Sequence, residues 1–271
     1  MLSFFILPIH NKEILLEKVL TGITNSCNGD FHIVAILDGC TDNSEIVLKD
    51  FLHKHKLSDK TTTVKMPDVH EITCLNYGLT CVRLMNPAQD SLVFTVQDDV
   101  VLQEPNIDDK MRYLFNCETK LGDVSMRLGC DLIYSPQQDL FFEQNLVESE
   151  FGHWKPMGLT HYTVVNHGDL VKKQIAISSP TCTLWSRYFN VGFYDASLAP
   201  VGWHCHDFSL RLMQYGYQNV VYALKYQSDF SWGSMHNVSG NKVNQQHEVL
   251  YQENIRFLCR KYRHLLQIPR G

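Results

Sequence analysis

The chain has 271 residues, 44% hydrophobic and 20% charged, with a formal net charge of −5. Those values are ordinary for a folded chain with a large core; they supply no positive field to gather nucleic acid or an anionic membrane, and no apolar run nears the roughly 20 residues of a membrane span. Nine scattered cysteines without a C-x-x-C pair point to reduced thiols in a cytosolic compartment, not to a disulfide framework or a four-thiolate zinc site.

The opening Met-Leu-Ser-Phe-Phe-Ile-Leu-Pro lacks a basic segment and a cleavage signature, so it is read as a first strand, Ser3 to Ile9, and not as a signal peptide. Ile14, Leu15, Val19, Leu20 and Ile23 recur at helical spacing. A second strand, Phe31 to Leu37, ends in Asp38-Gly-Cys-Thr-Asp-Asn-Ser-Glu45, where Asp42 and Glu45 have the spacing of a capping box for a helix running to about His53. Thr61 to Met66 is a third strand. Glu71 to Met85 is amphipathic, with Ile72, Leu75, Leu79 and Val82 on one side. A fourth apolar run, Leu92 to Val96, leads into Gln97-Asp98-Asp99. Residues 103–122 read as helix, Asp123 to Tyr134 as a strand, and 135–170 as a long connection or small antiparallel subdomain carrying Phe141, Phe142, Phe151 and Trp154. Thr181 to Trp185 is a further strand, and His206 to Tyr215 a helix stopped by Gly216. Gln218 to Leu224 is a last strand, and Lys242 to Leu266 a closing helix. No internal repeat or flexible linker interrupts the order.

Strands alternating with helices specify an α/β fold with a mostly parallel central sheet flanked by helices. Strands one, two and four end in His10-Asn11, Asp38 and Asp98-Asp99, so parallel packing gathers these ends into one acidic crevice at the carboxyl edge, where α/β folds bind ligands. Two carboxylates against a buried strand are costly unless compensated. A divalent cation carrying phosphate oxygens is one compensation; a simple acidic turn is the plainer alternative. The crevice has no G-x-G-x-x-G and no G-K-[ST] loop, which disfavours dinucleotide oxidoreductases and P-loop enzymes.

In this order the segments resemble those of inverting family-2-type glycosyltransferases with the GT-A fold. Leu7-Pro8-Ile9-His10-Asn11 is similar to the family's opening P-x-Y-N, and Leu37-Asp38-Gly39-Cys40-Thr41-Asp42 to its D-D-G-S-T-D turn. Asn76-Tyr77-Gly78-Leu79 resembles R-N-x-G-L, and Gln97-Asp98-Asp99 its D-x-D. Val191 to Asp195 with His206 to Leu212 resembles the acceptor-side block G-G-F-D-E … E-D-x-D-L-x-L. The closing helix around Asn254, Phe257, Lys261 and Tyr262 is similar as well.

The likeness spans nearly the whole chain and implies one GT-A domain over 1–271: a nucleotide-binding half at 1–102, an acceptor-binding half at 103–241 and a C-terminal helix at 242–271. It implies nucleotide binding by Pro8, His10, Asn11, Asp38, Asn76 and Asp98. It implies Mn²⁺ or Mg²⁺ on Asp99, with His236 brought to the metal or diphosphate, and Asp207 as general base. The implied donor is a UDP-, GDP- or dTDP-sugar, and the implied acceptor a glycan or lipid-linked glycan. The chain departs from the family pattern at Leu37, Gln97, His206 and Ser209. Two other readings stay open: a nucleotidyltransferase of the same fold, weakened by a glycine-free His-Asn-Lys12-Glu turn, and an inactive carbohydrate- or partner-binding module. His204, Cys205, His206 and Cys182 offer zinc-type ligands, but not at structural zinc spacing. Arg256, Arg260, Lys261, Arg263 and Arg270 make a basic tail, either a solvated face or a peripheral contact with the inner face of a membrane.

Overall fold

The computed structural model describes residues 2–152, 162–177, 179–200, 202–232 and 242–265. Four strands, β1 (Ser3–Ile9), β2 (Phe31–Asp38), β3 (Thr61–Met66) and β4 (Leu92–Thr95), alternate with helices α1 (Leu16–Ser26), α2 (Ser44–Lys54) and α3 (His70–Leu84). They lie in the spatial order β4-β1-β2-β3, all parallel, with Ser3 opposite both Phe31 and Leu92 and Asp38 opposite Met66. The strand order reverses between β1 and β4, which makes their carboxyl ends the switch point of the sheet.

The same sheet continues past β4 with β12 (Thr181–Leu184), β6 (Leu121–Ser125), β13 (Gln218–Tyr222) and β10 (Leu170–Lys173). β12 runs antiparallel to both β4 and β6, and β10 antiparallel to β13, so the eight-stranded sheet is mostly parallel. Alternation along the strands explains their nearly unbroken apolar character. Phe5, Leu7, Ile33, Ala35 and Phe94 face α1, α2 and α4 (Ile107–Cys117), while Phe4, Ile6, Val34, Ile36 and Val93 face α3, α5 (Trp185–Val191), α6 (His204–Gln214) and α7 (Lys242–Tyr262). Phe5 and Phe94 stack across the switch point with centroids 4.6 Å apart.

A second sheet has the order β11-β7-β8-β9, from β11 (Ile175–Ile177), β7 (Leu128–Ser135), β8 (Leu140–Ser149) and β9 (Tyr162–Val165). It supplies the subdomain expected over 135–170, though β8 and β9 are parallel; Trp154 lies outside the described residues. A two-stranded ribbon pairs β5 (Val100–Leu102) with β14 (Tyr226–Ser228). No helix among the described residues is long and apolar enough to cross a membrane.

The structure corrects several expected elements. The strand expected over Asp123 to Tyr134 is two strands in different sheets. The chain bends between them because Ser125 Oγ accepts from the amides of Arg127 and Leu128. Ile14 is 89% exposed and precedes α1. Asp42 caps the Ser44 amide at 3.0 Å, but Glu45 pairs with Lys49 and Lys65, so the capping box has no return arm. The helix expected over 103–122 is confined to α4, and the closing helix stops at Tyr262.

Two glycines have steric causes. Gly39, at φ +56°, passes so close to the chain that a Cβ would lie 2.6 Å from the Asp68 Cβ. Gly78 presses α3 onto β1: a Cβ there would lie 2.4 Å from Ile6 Cγ2. Gly78→Ala is expected to destabilise the chain by about 1–3 kcal/mol through overpacking. Urea denaturation should show a lowered midpoint at unchanged slope, and an unchanged midpoint would refute the close approach.

Candidate functional site

The crevice at the switch point is built from three strand ends. After β1, the His10 amide donates to Asp98 Oδ2 at 2.7 Å, and His10 Nδ1 lies 2.7 Å from the Asp38 carbonyl oxygen. Asn11 adopts φ +53°, and its Oδ1 accepts from the Thr41 amide at 2.8 Å. The Pro8-to-Asn11 turn is thereby tied to the Asp38 turn. Asp38 is 5% exposed and accepts from the Val69 amide at 2.7 Å. Side-chain ligand atoms of His10, Asp38 and Asp68 converge to within 4.8 Å of one another.

Asp98 and Asp99 occupy the turn after β4. Lys12 Nζ lies 3.7 Å from Asp98 Oδ1, with its side chain 7% exposed, and donates to the Trp232 carbonyl. Burial pushes the Asp98 carboxyl up to about 7, against the opposing Lys12 charge and His10 amide. Burial also raises Asp99, against Lys12 and Arg127. Asp99 Oδ1 is buried without a hydrogen-bond partner. An unmatched buried carboxylate oxygen is costly in water-poor surroundings, and it fits a hard cation such as Mn²⁺ or Mg²⁺.

Beside this pair runs a narrow cleft lined by Pro8, Glu71, Gln97, Ser179, Tyr194, His204 and Cys205. The Gln97 amide donates to Ser179 Oγ at 2.6 Å, and its side-chain Nε2 donates to Glu71 Oε1 at 2.8 Å. His204 Nε2 stands 4.0 Å from Glu71 Oε2, and His204 Nδ1 is buried and unpartnered. The Tyr194 ring meets His204 edge-on at 5.4 Å.

Pro8, His10, Asn11, Asp38, Asp98 and Asp99 thus gather at one edge. Asn76 and Asp207 are spent elsewhere. The Asn76 amide accepts from the Tyr194 N–H at 3.0 Å and donates to the Tyr194 carbonyl at 2.9 Å, locking α3 to the segment after α5. Asp207 is 0% exposed. Its Oδ2 accepts from Arg211 Nε at 2.8 Å, and its Oδ1 from Lys261 Nζ and the Tyr262 hydroxyl, both at 2.7 Å. This carboxylate joins α6 to α7 and presents no surface to an acceptor. Earlier in the same turn of α6, His204 and Cys205 face the cleft. His236 lies outside the described residues. Trp232 packs against the core. Glu71 and Arg127 are contributors with no assigned role in the sequence, and Lys12 is one weighed there only against triphosphate binding. Each is a single charged residue with no pattern around it, and each is brought in by tertiary contact.

Among solved structures the chain resembles mannosyltransferase PcManGT from Pyrobaculum calidifontis in complex with GDP-Man and Mn²⁺. The match has a TM-score of 0.52 and 13% identity, over 82% of this chain and 56% of that one. It also resembles S. aureus TarS 1-349 in complex with UDP, at a TM-score of 0.53 and 12% identity, over 84% of this chain and 60% of that one. The chain therefore spans a little over half the length of these structures. No protein-family profile and no curated protein sequence matches it. The fold is the GT-A-type fold of glycosyltransferases.

The Asp98 environment has a pH signature. Its carboxyl titrates at about 7 when folded and at about 3.9 when unfolded. The stability cost is absent below the lower value, grows as pH rises, and is complete above the higher. Without divalent ions, Asp98→Asn should therefore gain stability over the wild type between pH 4 and 8, reaching on the order of 4 kcal/mol. Thermal midpoints across that range check this, and parallel curves would contradict it.

Proposed function

We propose that the chain is a metal-dependent glycosyltransferase that moves a sugar from a nucleoside-diphosphate donor to an acceptor hydroxyl with inversion at the anomeric carbon. The observation that carries this reading is the half-buried Asp98–Asp99 pair at the switch point, with the Asp99 Oδ1 atom itself enclosed and unmatched. The GT-A-type fold supports it, and so do GDP-Man with Mn²⁺ and UDP in the structures it resembles.

The nucleoside would lie along the turns at Pro8 to Asn11 and at Asp38, with Asp98 anchoring the first turn through the His10 amide. Asp99 would hold Mn²⁺ or Mg²⁺, with His236 as a further ligand, and the ion would offset the charge that grows on the diphosphate as the sugar bond breaks. Lys12 and Arg127 add fixed positive charge on the same side. In one displacement the acceptor oxygen bonds to the anomeric carbon, the bonding pair leaves with the diphosphate, and the hydroxyl proton passes to a carboxylate. With Asp207 enclosed, Glu71 takes that role here: it lines the cleft, its side chain is 36% exposed, and Gln97 orients it. Asp207 is a positioning residue that holds α6, and with it His204 and Cys205, against α7.

A glycan or lipid-linked acceptor would enter past the second sheet. The basic C-terminal helix would meet the inner face of a membrane through Arg256, Arg260 and Arg263, since Lys261 is turned inward to Asp195 and Asp207. One observation favours the module without turnover instead, namely that Leu37, His206 and Ser209 stand where the family pattern has acids.

Incubation with UDP-, GDP- and dTDP-sugars, Mn²⁺ or Mg²⁺ and simple glycan acceptors should release nucleoside diphosphate with at least one donor. Glu71→Gln should lower turnover by about 10²–10⁴-fold with nucleotide binding retained. Asp207→Asn should instead lose about 3–5 kcal/mol of stability by uncovering a buried charge network. Nucleotide binding with no turnover from any donor would establish the module, and no nucleotide binding at all would reject both.

A further inference from the structure

Away from the crevice, three chemically different ligands meet where the second sheet touches α6. Cys130 comes from β7, Glu143 from β8 and His206 from the first turn of α6. Their ligand atoms lie within 4.8 Å of one another, and His206 Nε2 is 2.8 Å from Glu143 Oε1. Cys130 is fully enclosed, His206 is 5% exposed, and Glu143 is half-buried at the open side. The Trp203 ring lies 4.2 Å from His206 and limits its rotation. Cys130 sits where the β7–β8 register shifts between Gly129 and Asp131.

We propose that Cys130, Glu143 and His206 form a structural zinc site that fastens the second sheet to the first turn of α6. The donor set selects the ion. Thiolate, imidazole and carboxylate together suit Zn²⁺, whereas Mg²⁺ and Mn²⁺ favour all-oxygen surroundings such as the Asp98–Asp99 crevice. Three protein ligands leave a fourth position for water on the Glu143 side. Binding replaces the Cys130 S–H bond with an S–Zn bond and releases that proton to solvent. The His206–Glu143 contact is shorter than two ligands of one zinc ion require, so Glu143, the least enclosed of the three, moves to admit the ion. None of this is visible in the spacing of the ligands along the chain. Of the run His204-Cys205-His206 only the last member takes part, and its partners come from β7 and β8.

The site has a structural consequence at the cleft. His206 follows directly on His204 and Cys205, which line it, so an ion at the base of α6 fixes the turn that presents them. The proposal does not depend on the transfer reaction.

The test uses the full chain. Metal analysis after purification and gel filtration should find about one equivalent of zinc. Replacement with Co²⁺ should give the visible bands of tetrahedral cobalt and a near-ultraviolet thiolate-to-cobalt charge-transfer band, which an all-oxygen site does not produce. Cys130→Ser should abolish the charge-transfer band, and replacement of the exposed Cys117 by serine should leave it intact. Glu143→Gln keeps the size and the fold and should weaken cobalt affinity about tenfold or more. It carries the test if Cys130→Ser fails to fold. A wild-type chain without the charge-transfer band at excess Co²⁺, a band that survives in Cys130→Ser, or an affinity unmoved by Glu143→Gln would overturn the site.

Discussion

The structure depends on how it pays for a carboxylate pair at the end of a buried strand. Asp98 is matched twice, by the His10 amide at 2.7 Å and by Lys12 Nζ at 3.7 Å. Those contacts tie β1 to β4 across the switch point, where the strand order reverses. Asp99 is matched only in part, and its Oδ1 remains without a partner. A fold that satisfies one acid of a pair and leaves a buried oxygen of the other unsatisfied is built to be completed by something positive. The rest of the site follows from this asymmetry. The turns after β1 and β2 lie beside the satisfied acid, while Lys12 and Arg127 offset the unsatisfied one.

Much of this was legible in the sequence because parallel strands buried on both faces leave a strong mark. Ser3 to Ile9 and Thr61 to Met66 fall on β1 and β3, and Ile72, Leu75, Leu79 and Val82 form the buried side of α3. The polar residues ending β1, β2 and β4 gather because parallel strands share a carboxyl edge. What was not legible came from contacts the local pattern does not carry. The run through 123–134 reads as one strand because the Ser125 hydroxyl makes the bend. The antiparallel insertion of β12 between β4 and β6 leaves no trace in its own four residues.

Asp207 is enclosed by contacts that its own segment does not announce. Its partners Lys261 and Tyr262 lie 54 and 55 residues further on. One signal was nonetheless present. Arg211 stands one turn after Asp207, the i,i+4 spacing of an intrahelical ion pair, and that spacing marks a residue occupied within its own helix. Asn76 is a similar case. The motif asparagine is needed, but to hold the Tyr194 backbone, which in turn lets Tyr194 line the cleft beside His204.

The central claim is that Asp99 awaits a cation that arrives with a diphosphate. Electron paramagnetic resonance of Mn²⁺, titrated with and without UDP or GDP, tests it most directly. The account predicts that Mn²⁺ binds the chain, that one of these nucleoside diphosphates tightens that binding, and that Asp99→Asn abolishes the linkage while the fold persists. Free Mn²⁺ spectra unchanged by the protein with either nucleotide, or an Asp99→Asn chain that binds as the wild type does, would contradict it.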